Sequence, residues 1–339
     1  LGILHLRSQR PTKAYATLKD AFARDPSDPK TAFFLGLASE DVGKRQAARR
    51  LYGDFPRMPD TSAYRTLMMG RYEWLLRQEA RQEIRERMAR DSHLDEHPVS
   101  GRTVAVLPLT YQGDREAYAV LSWGLADLMT ETLTRIRGIR PVEGAQVQAL
   151  HAEMSMTPAS SAASEPMASQ VGRLLGAGYL LRGTYAVEAA GAKAASPSVR
   201  LNWSLHQIEQ GKARAIRPRT GRLHDLLALH QEAVHDVLES LEMSLSGQTQ
   251  PLLSSLPTQN LQAFLAYSRG LRAEDRGQYE AAAQHYRRAH RLDPSFASAA
   301  QRRRRAQGLR MAAGPHERVL QTVAEGTVPD APGAGEIGE

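Results

Sequence analysis

The chain has 339 residues, 42% hydrophobic and 24% charged, which is the composition of a globular protein with length for two or three domains. It contains no cysteine, which excludes a disulfide framework, a thiolate metal site and a cysteine nucleophile. The net charge of +7 raises nucleic acid or an anionic membrane as partners, but arginine is scattered with acids interspersed, the pattern of solvated helix surface. No apolar run reaches the roughly 18 residues that span a bilayer. The chain starts at Leu1 rather than Met, as a fragment or processed product does, so an upstream signal peptide, lipobox or membrane helix would lie outside these residues.

Residues 1–57 repeat with a period of 34: Gly2 recurs as Gly36, Ala14 as Ala48, and Leu18 aligns with Tyr52. Pro26 and Pro29 stand at the turn between the two units. This is tetratricopeptide spacing, in which small residues let paired helices approach and large ones fill the groove between them. The first repeat is cut by the start of the chain. Residues 58–99 read as a helical connector. Tyr64, Leu67, Met68, Trp74, Leu75 and Leu76 form its apolar side, while Arg81, Glu83, Arg85, Glu86 and Arg87 alternate in charge like a solvated helix laced with i,i+4 pairs. A nucleic-acid arm would need aromatic residues between the cations, and there are none.

Residues 100–245 form the central domain. Val104, Ala105, Val106 and Leu107 are a short apolar run ending at Pro108, the signature of a strand buried on both faces. Leu121, Leu125, Leu128, Met129, Leu133 and Ile136 then recur at helical spacing, Gly138 stops the helix, and Ile139–Val142 is a second strand. Strand, helix and strand in this span predict a parallel βαβ unit. Ala145–Met154 is a short helix, Met156–Met167 a Ser/Ala/Pro loop, Ser169–Leu175 a helix and Tyr179–Val187 a strand. Ala189–Pro197 is another small-residue loop. Val199, Leu201, Trp203 and Leu205 alternate with polar residues, so this strand has one buried face. A turn at Glu209–Lys212 leads to an antiparallel return strand, Ala213–Arg219, which makes the sheet mixed. Leu223–Leu241 is a long amphipathic helix.

Residues 246–257 are a linker. In residues 258–312 the repeat spacing returns, with Gly270, Gly277, Tyr279, Ala282, Tyr286, Ala289 and Pro294 in register and a capping helix from Phe296 to about Ala312. Residues 313–339 read as a disordered tail. The expected fold class is therefore a multidomain α+β chain, with α-helical tetratricopeptide repeats flanking a mixed-sheet α/β domain.

Catalytic motifs are weak. His93-Leu94-Asp95-Glu96-His97 fits the inverted zinc-peptidase pattern H-x-x-E-H, but Pro98 would end the helix that pattern needs. His224, His230 and His235 fall on different sides of one helix, so they make no ligand set. Gly176-Ala177-Gly178 precedes a strand rather than a helix and cradles no phosphate. Arg302–Arg305 spreads around its helix and forms no single anion patch.

The segment V-A-V-L-P followed by W-G-L-A-D-L-M-T-E-T-L-T-R-I-R-G-I-R-P-V resembles the opening of the TolB N-terminal-like domain, a relative of curli-secretion and flagellar outer-membrane assembly proteins. The resemblance continues at Val171–Gly183 and closes at Asp225–Glu232, and it departs at Leu109-Thr110, where the family has an aromatic and a polar loop. It implies assembly rather than catalysis, with no catalytic residue, cofactor or metal. The expected role is a protein-binding scaffold of the bacterial envelope, in the periplasm or at the outer membrane. Protein or peptide partners would enter the repeat grooves, lined in the C-terminal unit by Tyr267, Arg269 and Glu274. Homo-oligomers fit this role, nucleic acid does not, and membrane association would come only through an upstream anchor. A second reading is a cytoplasmic one, the C-terminal sensor part of a signalling protein whose DNA-binding or kinase domain lies upstream.

Overall fold

The structure is a computed structural model in which residues 1–90, 100–155, 165–188, 197–242 and 256–324 are described. Two compact units emerge, Leu1–Gln78 together with the chain from Gln301 on, and Glu79–Ala300. The 258–312 segment is divided between these units. Its first helices belong with the α/β part.

The first unit opens with α1 (Gly2–Arg7), α2 (Pro11–Arg24), α3 (Pro29–Asp41) and α4 (Arg45–Gly53), each packed on its neighbour. Pro11 and Pro29 begin their helices where no backbone N–H is needed. The Asp28 carboxylate caps α3, accepting from the Lys30 and Thr31 N–H groups at 3.2 and 3.0 Å. Gly43, at φ +76°, ends α3, and the Lys44 N–H closes the turn onto the Ser39 carbonyl at 2.7 Å. A Cβ at Gly36 would lie 2.3 Å from the Tyr52 ring, so only glycine lets α4 lie this close to α3. The connector is α5 (Ala63–Ala89), and it is less solvated than its charges suggest. Leu67, Met68, Arg71 and Leu75 are buried in the first unit, and Ala80 and Ile84 in the second. Of the i,i+4 pair Glu83–Arg87, Arg87 also donates to the Leu174 carbonyl at 2.6 Å. Charge alternation marks one face of a helix and says nothing of the stripe between the charges.

The second unit holds β1 (Ser100–Val106), β2 (Thr110–Tyr111), α6 (Glu116–Ala119), α7 (Leu121–Thr134), β3 (Arg140–Pro141), α8 (Gly144–Ser155), α9 (Glu165–Leu174), β4 (Ala177–Glu188), β5 (Ser198–Gln207), β6 (Lys212–Ala215), β7 (Arg219–Arg222), α10 (Leu226–Ser240), α11 (Leu261–Asp275) and α12 (Tyr279–Leu292). The strand order is β3-β1-β4-β5-β6, with β2 also on β4 and β7 on β5. β1 is parallel to β3 and β4, and β5 is antiparallel to β4, β6 and β7. The parallel βαβ unit and the mixed sheet are as the spacing predicts.

The return strand differs. It breaks at Ile216–Pro218 into β6 and β7: the Ile216 N–H still bonds the Trp203 carbonyl at 2.9 Å, Pro218 has no N–H to donate, and the register on β5 shifts by one residue. One sheet face, with Tyr185, Leu201 and Trp203, meets α7 and α10. The other, with Ala105, Leu180 and Ile208, meets α8, α9 and the end of α5. On the first face Trp203 and the buried His230 of α10 lie ring to ring at 6.1 Å, and burial holds His230 neutral, its pKa lowered to about 4.

Back in the first unit, α13 (Ala297–Ala312) ends there and α14 (His316–Ala324) follows. The expected tail from residue 313 is thus a helix as far as Ala324, because Val319 is buried and Leu320 and Val323 pack beside it. The remainder of that tail, the 156–164 and 189–196 loops, residues 243–255 of the linker and the His93–His97 motif lie outside the described residues.

α3, α5 and α14 meet at a buried ion cluster. Arg71 is 1% exposed and grips Glu40 with both arms, at 2.8 and 2.9 Å. Its remaining nitrogen donates to the carbonyls of Ala312 and Gly314 at 3.0 and 2.6 Å, and its face stacks on Trp74 at 4.2 Å. Tyr52 Oη adds a bond to Glu40 at 2.9 Å, and His316 sits between Glu40 and Asp41. Burial alone would raise the pKa of Glu40, but the bonds from His316 and Arg71 hold it at about 2. Burial would likewise lower that of His316, but Asp41 and Glu40 raise it to about 9.

The contribution of Glu40 is therefore complete above pH 4.5 and is lost as pH falls through about 2. That of His316 is complete below pH 6.5 and is lost as pH rises through about 9. The melting temperature of the first unit should therefore decline between pH 6.5 and 9, and His316→Gln should flatten that decline. Melts of both proteins across this range test it, and equal slopes would show that His316 carries no such linkage.

Val106 is 4% exposed in a strand covered on both faces. Val106→Asp would bury an unpaired carboxylate at a cost of several kcal/mol, roughly 3 or more. Limited proteolysis should show the Glu79–Ala300 unit losing its resistant core. A resistant fragment unchanged from the parent would place Val106 at the surface.

Candidate functional site

The groove expected to take a partner is carried by α11. Asn260 caps this helix, accepting from the Gln262 and Ala263 N–H groups at 2.9 and 3.1 Å. Gly277, at φ +71°, turns the chain into α12, and the Gln278 N–H reaches the Ala273 carbonyl at 2.9 Å. A Cβ at Gly270 would lie 2.4 Å from the Tyr286 ring. Tyr286 Oη donates to Glu274 Oε2 at 2.7 Å. This is the arrangement of α3 and α4, where Gly36 faces Tyr52 and Tyr52 bonds Glu40.

The groove face of α11 is occupied by α7 of the same chain. Tyr267 is buried, its ring 4.8 Å from Phe296 and 5.5 Å from Tyr286, and its hydroxyl donates to Asp127 Oδ2 at 2.6 Å. Gly124 of α7 stands over Ser268, where a Cβ would come within 2.1 Å of Ser268 Oγ and 2.9 Å of the Phe264 ring. One turn on from Asp127, Glu131 accepts from Ser298 Oγ at 3.1 Å. At the rim, Arg272 approaches Glu116 at 3.5 Å and His151 approaches Asp275 at 3.4 Å. α7 thus meets the helical hairpin through the close approach at Gly124 and the bond of Asp127 with Tyr267, and meets Ser298 of α13 through Glu131.

The three residues predicted to line an open groove fare differently. Tyr267 does face the groove, but against α7 rather than against solvent. Glu274 is fully buried inside the helix pair as the partner of Tyr286, because the position one turn after Gly270 points at α12. Arg269 is half-exposed, and with Arg288 it adds to burial in lowering the pKa of His285. Sequence reasoning missed Gly124, Asp127, Ser268, Glu131 and Ser298. The one signal was Gly124 itself, a glycine in the middle of a helical pattern, which usually marks close packing.

The histidines are dispersed. His224 lies beside Asp225, His235 beside Glu239, and His230 is enclosed by the sheet and α10. Among the described residues no group of three His, Asp or Glu side chains is placed to hold a metal ion. No helix among them is long and apolar enough to cross a membrane.

Residues 86–190 match the family described as Curli production assembly/transport component CsgG. This is the curli-secretion group that the central sequence resembles as a relative, and the matched stretch runs from the end of α5 through β4. Similar solved structures include the LpoB C-terminal domain from Salmonella enterica, 14% identical, covering 39% of this chain and 93% of that one with a TM-score of 0.28. A second is lipoprotein GNA1162 from Neisseria meningitidis, 17% identical, covering 43% of this chain and 99% of that one with a TM-score of 0.28. A third is the hypothetical protein CT253 from Chlamydia trachomatis, 16% identical, covering 41% and 95% with a TM-score of 0.26. No curated protein matches the chain. The central α/β part of this chain is similar, over residues 86–190, to the curli-secretion component.

Proposed function

We propose that this chain is a non-enzymatic binding scaffold of the bacterial envelope, in which tetratricopeptide-type helix pairs grip helices and a CsgG- or TolB-like domain serves assembly. The observation that carries the reading is α7 seated along α11. A helix pair of this spacing here holds an amphipathic helix through one close glycine crossing and the hydroxyl–carboxylate bond of Tyr267 with Asp127. The match of residues 86–190 to a secretion component supports the envelope setting. Arg269 stays half-exposed on the same helix pair and is the position from which a further partner would be reached.

Two experiments test this reading. Gly124→Leu places a side chain where only 2.1 Å is free, and overpacking of this kind costs about 1–3 kcal/mol. Hydrogen exchange should then show α11 and α12 losing protection while β4 and β5 keep theirs. Unchanged exchange in α11 would remove the grip that the proposal rests on. In cells making the protein with its natural upstream sequence, fractionation should place it in the periplasm or with the outer membrane. A protein found wholly in the cytosol would overturn the envelope setting and favour the signalling alternative.

A further inference from the structure

Several cations of the second unit are paired. Arg85 bonds Glu153 at 2.8 Å, Arg87 pairs with Glu83, and Arg135 meets Glu131 at 2.6 Å. Arg219 bonds both Asp236 and Glu232 at 2.6 Å. The outer edge of the sheet departs from this. Arg200, Lys212, Arg214, Arg217 and Arg222 are all exposed, and among the described residues none makes an ion pair. Between Ser198 and Arg222 the only acid is Glu209, in the turn before β6. Beyond this stretch, Glu188 lies across β5, bonded by Ser198, and Asp225 is beside His224.

These cations line a strand edge. β6 and β7 lie end to end along β5, pairing Lys212 with Gln207, Arg214 with Leu205 and Arg222 with Ser198. No strand among the described residues pairs with their outer side. Every residue of β6 is exposed. From Lys212 to Arg222 the edge runs roughly 30 Å at strand rise. An open edge of this kind offers backbone donors and acceptors to another strand. Its charge selects which one, because a second copy of the same basic edge is repelled while an acidic strand is attracted.

We propose that the β6–β7 edge is a docking site for an acidic, extended segment of a partner protein, which adds to the sheet as a further strand. The backbone ladder supplies register, and Lys212, Arg214, Arg217 and Arg222 supply charge complementarity and a fast encounter. The site is separate from the α7–α11 groove and does not depend on the reading above.

The test uses the full chain and a fluorescent eight-residue peptide alternating Glu and Val, followed by anisotropy at low salt. It should bind, and raising the salt should weaken it. The Lys–Val counterpart should not bind. The same acidic peptide N-methylated at alternate amides keeps its charge and loses ladder donors, and should bind at least tenfold more weakly. Arg214→Glu with Arg217→Glu should also weaken the acidic peptide at least tenfold, whereas Arg50→Glu on exposed α4 should change it less than twofold. If the double reversal fails to fold by circular dichroism, Lys212→Gln with Arg214→Gln takes its place with the same expected direction. Equal binding of the N-methylated peptide would overturn strand addition in favour of charge alone. Binding of phosphatidylglycerol vesicles without binding of the acidic peptide would overturn the protein partner in favour of a membrane surface.

Discussion

The arrangement of the second unit depends on how closely α11 can lie on α7. Gly124 has no side chain, and a single Cβ there would meet Ser268 Oγ at 2.1 Å. Close approach brings the Tyr267 hydroxyl to Asp127 and the Ser298 hydroxyl to Glu131. Each carboxylate accepts a hydrogen bond at the edge of an apolar contact, where a hydroxyl–carboxylate bond is stronger than in water. If the helices moved apart by the width of a methyl group, the bond of Tyr267 with Asp127 would lengthen beyond use and Tyr267 would lose its cover. One backbone position therefore sets the geometry of several side chains.

The two helix pairs built on the same repeat spacing show how one local motif takes two roles. In each, a glycine faces a tyrosine of the next helix, and that tyrosine bonds a glutamate one turn beyond the glycine. Glu40 goes further and receives both arms of Arg71 and an edge of His316, so it ties α3 to α5 and α14. Arg71 is in turn fully used, by a carboxylate, two carbonyls and the face of Trp74, which is what allows a guanidinium to be 1% exposed. Glu274 belongs to a pair whose outer face takes α7 instead. The local geometry is shared, and the partner is decided by whatever helix comes next to it in space.

That division explains what could be read from the sequence. The β1–α7–β3 unit and the alternation of Val199 to Leu205 are local patterns and appear in the structure where they were expected, and Gly36 and Gly270 each face a tyrosine of the following helix. The groove lining was not legible. Asp127 and Tyr267 are separated by 140 positions, and nothing in either segment names the other. The helix His316–Ala324 was missed because its apolar side is short and its polar anchor, His316, finds Asp41 far earlier in the chain. The solvated reading of α5 failed for a related reason. Its charges are visible along the sequence, but Ala80 and Ile84 gain meaning only against α9 and β4.

Charge follows the same logic. Counted along the chain, the arginines look evenly distributed among acids, and a net charge of +7 suggests no particular surface. Folding redistributes them. Asp127 is engaged by Tyr267, Glu131 by Ser298 and Arg135, Glu153 by Arg85, and Glu232 and Asp236 by Arg219. Lys212, Arg214, Arg217 and Arg222 make no ion pair among the described residues, where no further strand lies along this edge of the sheet. Ion pairs formed inside the unit and cations left at its edge are therefore two consequences of one topology, in which the acids of this unit sit mainly on helices and every charged residue of β6 and β7 is arginine or lysine.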